Sequence, residues 1–487
     1  MPQPTSKRLV TEAAVAGHVN TEVTTPGSAT AVAVSASISA QVAPVSAKVM
    51  GRARAADGIF AAVSESLNSG RSACMQLQGD STGNADYEWF RLITNWLGSQ
   101  HSTAHVKYKV WNDTSQAYDA WTTVQAGASG ERHALFVPTW ARSHYVPQAA
   151  IPHIGGDIDV RARVSLDNWA AGATQTLVAR YGSAGFHAWK MEITTGNLLN
   201  FAWSTDGTTD ITKVSSTAPA FTAGQEGWVR CTLDVDNGLG GYSWKGYTST
   251  DGVTWTEIGS SVTTSGGATS IFDAPQEYEI GARGQTGGNI EGKIYEVQIR
   301  DGVGGKIVSP QPIDAWVPRA ASGSYVPGTF GGSPTLYVLN GSHPGAAYTY
   351  FSDATRHPKM VHPYAGSLAF QSCSHNDSEN IGHLYLASRK TWLDLTDARA
   401  AGSQVVLVTQ NPEVAPISAH SIACHARRRN LLMAWGARNG LAVIDTYKAF
   451  QDSAGGVAAL LETDGIHPNA TGSQVWADTV TAAFDAA

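Results

Sequence analysis

Two hydrophobic periods occupy separate stretches of this chain, and they limit its fold more than any other feature. Short apolar runs without alternation occur at Cys74 to Gln78, Leu336 to Leu339, Leu368 to Cys373, Val405 to Val408 and Leu441 to Ile444. Helix-period segments such as Leu384 to Ala400 and Ile417 to Trp435 lie between several of them. Unbroken apolar strands separated by helices indicate a parallel sheet covered on both faces. The first run, however, stands far from the rest, with Leu336 to Leu339 read as the second strand. In the gap, Ile158, Val160, Ala162, Val164 and Leu166 alternate with polar residues, as do Tyr295, Val297 and Ile299. Asp206-Gly207 and Asp251-Gly252 add hairpin signals there. That period belongs to an antiparallel β-sandwich.

The expected architecture is a three-layer α/β domain, residues 56–147 and 322–487, split by an inserted all-β jelly-roll sandwich at 148–321. Insertion at a surface loop is physically tolerable because loop ends lie close together. Near-repeats mark the edges, Ser143-His144-Tyr145-Val146-Pro147 and Ser322-Gly323-Ser324-Tyr325-Val326-Pro327. The two units are expected to have independent cores joined only by these linkers. Residues 1–55 hold no aromatic residue, and Val34, Ile38, Val42, Val45 and Val49 form a helical stripe interrupted by Pro44. The segment reads either as a helical attachment or oligomerisation segment covered by sister chains or a scaffold, or as a flexible leader.

Charge and length exclude some functions. A net charge of -7 argues against nucleic acid or an anionic membrane surface as partner. No stretch approaches the ~20 apolar residues of a membrane span. Glu12 and Glu22 fall where a secretory signal would be apolar, so export by that route is not expected. Cys74, Cys231, Cys373 and Cys424 lie far apart in apolar surroundings and read as buried thiols, without metal-ligand spacing. No metal or cofactor is expected.

Four short motifs fall at strand ends, where α/β folds keep their sites. Gly79-Asp80-Ser81 ends the first strand, with a helix expected over Tyr87 to Leu97. Asn340-Gly341-Ser342-His343-Pro344-Gly345 follows the second, and Ser374-His375-Asn376-Asp377 the third. Asp464-Gly465-Ile466-His467-Pro468-Asn469 comes late, its acid and imidazole three residues apart on a tight turn. That spacing lets the carboxylate hold Nδ1–H while Nε2 faces a serine hydroxyl. An asparagine amide or a glycine N–H at the other ends can donate to a developing oxyanion. Asp80 reads as a structural hydrogen-bonding residue, and Gln410-Asn411-Pro412 as a possible pocket wall.

In this order the motifs resemble the four sequence blocks of SGNH (GDSL-like) hydrolases. The resemblance covers both parts of the α/β domain and implies a serine esterase, with Ser81 as nucleophile, His467 as base and Asp464 as its orienting acid. It implies an oxyanion hole of the Ser81 N–H, the Gly345 N–H and the Asn376 side chain, with Gly341 a competing donor. Ser374 stands where the third block usually has glycine.

The sandwich resembles concanavalin-like (laminin-G-like) lectin domains at the level of the fold. Trp169, Trp189, Trp203, Trp228, Trp244 and Trp255 are candidates either for its core, where most are expected, or for stacking on sugar rings, with one or two at most expected exposed. The whole arrangement, with its Ala/Thr/Ser-rich leader and Tyr-Val-Pro linkers, resembles minor tail proteins of phages of high-GC Gram-positive hosts. That resemblance implies a virion tail-tip esterase acting on ester-linked groups, O-acetyl above all. Its expected partners are host-envelope polysaccharide and other tail proteins, with the chain itself in a homo-oligomer, a trimer by guess. The rivals are a secreted bacterial carbohydrate esterase or lipase and a receptor-binding protein that has lost activity.

Overall fold

The computed structural model describes residues 61–136, 143–284, 287–319, 328–361, 368–377 and 404–485. The leader at 1–55, the helix expected over Leu384 to Ala400 and the second near-repeat at 322–327 lie outside them.

One mostly parallel sheet runs in the order Ala442–Ile444, Gln404–Val408, Leu368–Ser372, Ala73–Gly79, Thr335–Asn340, His105–Asn112. Ala73–Gly79 is its hinge in topology. It pairs in parallel with Thr335–Asn340 on one side and with Leu368–Ser372 on the other, Leu77 lying opposite both Asn340 and Phe370. The chain therefore reverses its direction of winding at this strand, which opens a crevice at its carboxyl end.

Both faces of the sheet are covered, which explains the unbroken apolar runs. Met75, Leu77, Val338, Phe370 and Val406 pack on one side with Phe90, Ile93, Leu97, Trp476 and Val480. There Trp89 stacks on Trp476, with ring centroids 5.6 Å apart, and joins the helices Trp89–Gln100 and Ala470–Asp485. On the other side, Ala369, Val405 and Leu407 meet Met433 of the helix Ala419–Asn439. Ser418 caps that helix by accepting from the Ser421 N–H, and Gly440 ends it at φ 66°.

His105–Asn112 corrects the strand count. It lies next to Thr335–Asn340 in the sheet, so the second strand in the chain is this one and not Leu336 to Leu339. Lys107 and Lys109 interrupt its apolar run. In the fold Lys107 pairs with Glu131 at 2.7 Å, and buried Lys109 lies over the Trp121 ring at 4.2 Å. Burial pushes the Lys109 ammonium down to about 8.

The alternating region forms a seven-stranded and a nine-stranded sheet, antiparallel throughout their ladders, with one apolar core between them. Trp169, Trp189, Trp203, Trp228 and Trp244 are buried. Only Trp255 of the six is half-buried, and Arg161 and Arg230 lie across its ring at 5.1 and 5.3 Å. Trp169, Trp189, Trp203 and Trp244 thus belong to the core between the sheets, while Trp228 meets Trp255 with ring centroids 6.3 Å apart.

The sheets also recruit His133–Phe136, His144–Val146 and Thr329–Gly331, beyond the expected limits of 148–321. More than linkers joins the two units. Glu131 receives both Lys107 from the parallel sheet and Arg163 from the sandwich strand Ile158–Leu166, the latter at 2.6 Å. Asp314 accepts from the Ser72 N–H at 2.8 Å and pairs with Arg132.

Candidate active site

The site starts at the end of the Ala73–Gly79 strand, where Asp80 turns the chain. Its carboxylate is fully buried and accepts from the Thr82 N–H at 3.0 Å and the Thr82 hydroxyl at 2.8 Å. This Asx turn lifts Ser81 out of the strand line into the crevice. Gly79 has no room for a side chain, since a Cβ would stand 2.6 Å from Ser342 Oγ. Its carbonyl accepts from the His343 N–H at 2.9 Å, fastening the neighbouring loop to the serine strand.

The late motif folds as a turn built by its own acid. Asp464 Oδ1 accepts from the N–H groups of Ile466 and His467 at 2.9 and 3.0 Å, and Oδ2 lies 2.6 Å from His467 Nδ1. Gly465 sits at φ 75° with its Cβ direction 2.4 Å from Val414 O, so only glycine fits there. Asn469 then accepts from the Gly472 N–H and starts the last helix. Burial pushes the Asp464 carboxyl up, but the His467 contact and the two N–H donors outweigh it and hold it below its ordinary value.

These two turns meet. Ser81 Oγ lies 2.7 Å from His467 Nε2. A carboxylate on Nδ1 places the ring proton there and leaves Nε2 bare to receive the serine proton. The three residues taken from the sequence thus stand as a continuous hydrogen-bonded line, on segments 386 positions apart in the case of serine and histidine.

The expected oxyanion donors sort by what their N–H groups already do. The Gly341 N–H donates to Leu77 O at 2.8 Å and is committed to the fold. Among the described residues, the Gly345 and Ser81 N–H groups donate to nothing. Gly345 adopts φ 79° on an exposed turn. The exposed Asn376 amide donates to Ala346 O at 3.2 Å, which brings it beside Gly345 and leaves one amide proton unused. Asn340 is structural: fully buried, it donates to Gly83 O and the Tyr108 hydroxyl.

Gln410 is buried and lines a cavity with Ser374, Arg428 and Trp435, whereas Asn411, buried too, is not part of that wall. Asn411 O receives both His375 Nε2 and His425 Nε2, at 3.1 and 2.8 Å. A carbonyl only accepts, so both rings carry their proton on Nε2. They stack 4.4 Å apart, and burial pushes His375 down to about 4 and holds His425 well below its ordinary value. Glu413 completes a group that by composition suits a metal ion. Arg428, however, lies 3.3 Å from His425 Nδ1 and 3.7 Å from the Glu413 carboxylate, where a cation would have to sit. The guanidinium is the cation of this cluster.

Glu88 escaped the sequence reading. Buried at the foot of the helix Trp89–Gln100, it accepts from the Ala85 N–H at 2.7 Å. Burial pushes its carboxyl up to about 7, with His467 acting in the opposite sense. A lone acid just before a helix looks like any capping residue, so nothing in the sequence marked it.

No family model matches the chain, and no curated protein does. Among solved structures, it is similar to a catalytic mutant of an acetylxylan esterase from Geobacillus stearothermophilus. The identity is 12% and the TM-score 0.27, over 31% of this chain and 73% of that one. A member of the lipolytic G-D-S-L family from Veillonella parvula matches at 14% identity and TM-score 0.25, over 31% and 81%. The sialidase carbohydrate-binding module of Ruminococcus gnavus, bound to sialyllactose, matches at 14% and TM-score 0.26, over 38% and 94%. The neighbours therefore include esterases and lectin-like β domains at low similarity, too low to assign a function.

Proposed function

We propose that this chain is a carboxylic-ester hydrolase of the SGNH type, its α/β unit split around the sandwich. The observation that carries the reading is the unbroken line Ser81 Oγ, His467 Nε2, His467 Nδ1, Asp464 Oδ2, with contacts of 2.7 and 2.6 Å. Ser81 Oγ attacks the ester carbonyl as His467 Nε2 takes its proton. The tetrahedral oxyanion is met by the Ser81 and Gly345 N–H groups and the unused Asn376 amide proton. His467 then returns the proton to the departing alcohol, leaving an acyl group on Ser81. Water, deprotonated by the same nitrogen, releases the acid and restores the serine.

Ser374 in place of glycine is compatible with this chemistry, because its hydroxyl points away into a buried hydrogen bond with Gln410. The finer reading is a virion tail-tip esterase that removes O-acetyl groups from host-envelope polysaccharide, with the sandwich as its binding module. Its support is the sequence resemblance to phage tail proteins, and gene neighbourhood tests it.

Hydrolysis of p-nitrophenyl acetate tests the activity itself. Ser81→Ala is expected to lower turnover by about 10⁴-fold or more, since the triad acts as a unit. Equal rates for the two proteins reject the reading.

A further inference from the structure

We propose that Gln410 is a positioning residue that holds the nucleophile turn and the oxyanion turn of this site in register. The inference rests on the esterase reading and deepens it. Gln410 follows the strand Gln404–Val408 and is 2% exposed. Its Nε2 donates to Asp80 Oδ2 at 2.6 Å and to the Thr82 hydroxyl at 3.2 Å, on either side of Ser81. Its Oε1 accepts from the Ser374 hydroxyl at 2.9 Å and from the His375 N–H at 2.7 Å, immediately before Asn376. One amide group thus spans two turns that come from different strands.

The next residue reaches the third turn. Asn411 Nδ2 donates to Ile466 O at 2.8 Å, one position before His467. Residues 410 and 411 therefore touch the segments carrying nucleophile, base and oxyanion donor, and touch none of the reacting atoms. Orientation of the amide is settled by its neighbours. A carboxylate accepts only, so Nε2 must face Asp80. A backbone N–H donates only, so Oε1 must face His375. A carboxylate at 410 can serve both sides only with an added proton, and an apolar side chain can serve neither.

That requirement supplies a readout beyond loss of activity. In Gln410→Glu the new carboxyl keeps an oxygen toward Ser374 and His375 but sets another against Asp80 Oδ2. Two carboxylate oxygens that close persist only with a proton between them. The shared proton is present at acid pH and is lost as pH rises, whereupon repulsion drives the two turns apart. Misplacement of about 1 Å costs on the order of 10²-fold in rate.

The experiment measures kcat and KM for p-nitrophenyl acetate across pH for the full chain, Ser81→Ala and Gln410→Glu, with circular dichroism at each pH. The wild-type profile is the reference for both variants. Gln410→Glu is expected to stay within about threefold of wild type at the acid end and to fall about 100-fold below it at the alkaline end. KM should change little and the fold should remain intact. A second variant, Gln410→Met, removes the bonds without adding charge. It should lower kcat by a similar factor at every pH, leaving the shape of the profile unchanged. Two results overturn the inference alone: an active, folded Gln410→Glu with the wild-type profile, or a fall in kcat that merely follows unfolding. If Gln410→Glu does not fold, a folded Gln410→Met with wild-type kcat overturns it. A wild-type rate no faster than Ser81→Ala overturns the esterase reading and this inference together.

Discussion

The sandwich and the carboxyl end of the α/β sheet hold buried carboxylates in different ways. In the sandwich, buried charges are paired with cations and spread over the outer faces of the sheets. Asp159, fully buried, receives forked contacts of 2.8 and 3.0 Å from both Arg161 and Arg230. Glu192 takes Arg283 at 2.7 Å, and Asp210 takes Lys190 at 3.0 Å. At the carboxyl end of the α/β sheet, by contrast, buried Asp80 is met by an amide and a hydroxyl instead of a cation, although Glu413 in the same unit is paired with Arg428 at 3.7 Å. Charge pairs bind strongly and lock neighbouring strands of a sheet that is already continuous. The amide network instead joins turns from separate strands, where the sheet's own ladder has ended. The first pattern secures a scaffold, and the second sets the geometry of a site.

The comparison yields graded expectations. The largest is for Asp464→Asn, which puts an amide against His467 Nδ1 and favours the tautomer with its proton on Nε2. Turnover of p-nitrophenyl acetate should fall by about 10³–10⁴-fold while thermal stability barely moves, the side chain being nearly half exposed. An equal loss of stability would show that this end of the sheet is scaffold too.

Glu131→Gln should do the reverse. Burial pushes the Glu131 carboxyl up, but Arg163 and Lys107 outweigh it and hold it down to about 2, against an ordinary 4.5. Its stabilisation is therefore present above about 4.5 and is lost as pH falls toward 2. At neutral pH the variant should lose about 3 kcal/mol in denaturant unfolding, with kcat for a small ester unchanged below the transition. The gap between the two proteins should close across that acid window. A large loss of kcat in folded Glu131→Gln would mean that the junction of the units also shapes the site.

Strand runs buried on both faces were legible because a doubly covered sheet leaves no polar alternation to confuse them. Gly79-Asp80-Ser81 and Asp464 to His467 were legible because their turns are made by their own residues, Asp80 on Thr82 and Asp464 on Ile466 and His467. His105–Asn112 was missed because Lys107 and Lys109 owe their burial to Glu131 and Trp121, which are distant enough in sequence to leave no periodic trace. The same holds for Gln410. Its partners are Asp80 and Ser374, 330 and 36 positions away, so its hydrogen bonds between turns left no local trace in the sequence. The sandwich limits were placed too narrowly because His133–Phe136 and Thr329–Gly331 are too short to show a period.

The central claim is that Ser81 is an activated nucleophile, and covalent labelling tests it most directly. A fluorophosphonate probe incubated with the full chain, followed by peptide mapping, should give one adduct, on Ser81. Its rate should fall by at least about 10²-fold in His467→Ala, because the hydroxyl then has no base. No adduct at Ser81, or labelling of Ser81 at the same rate with and without His467, would contradict the account.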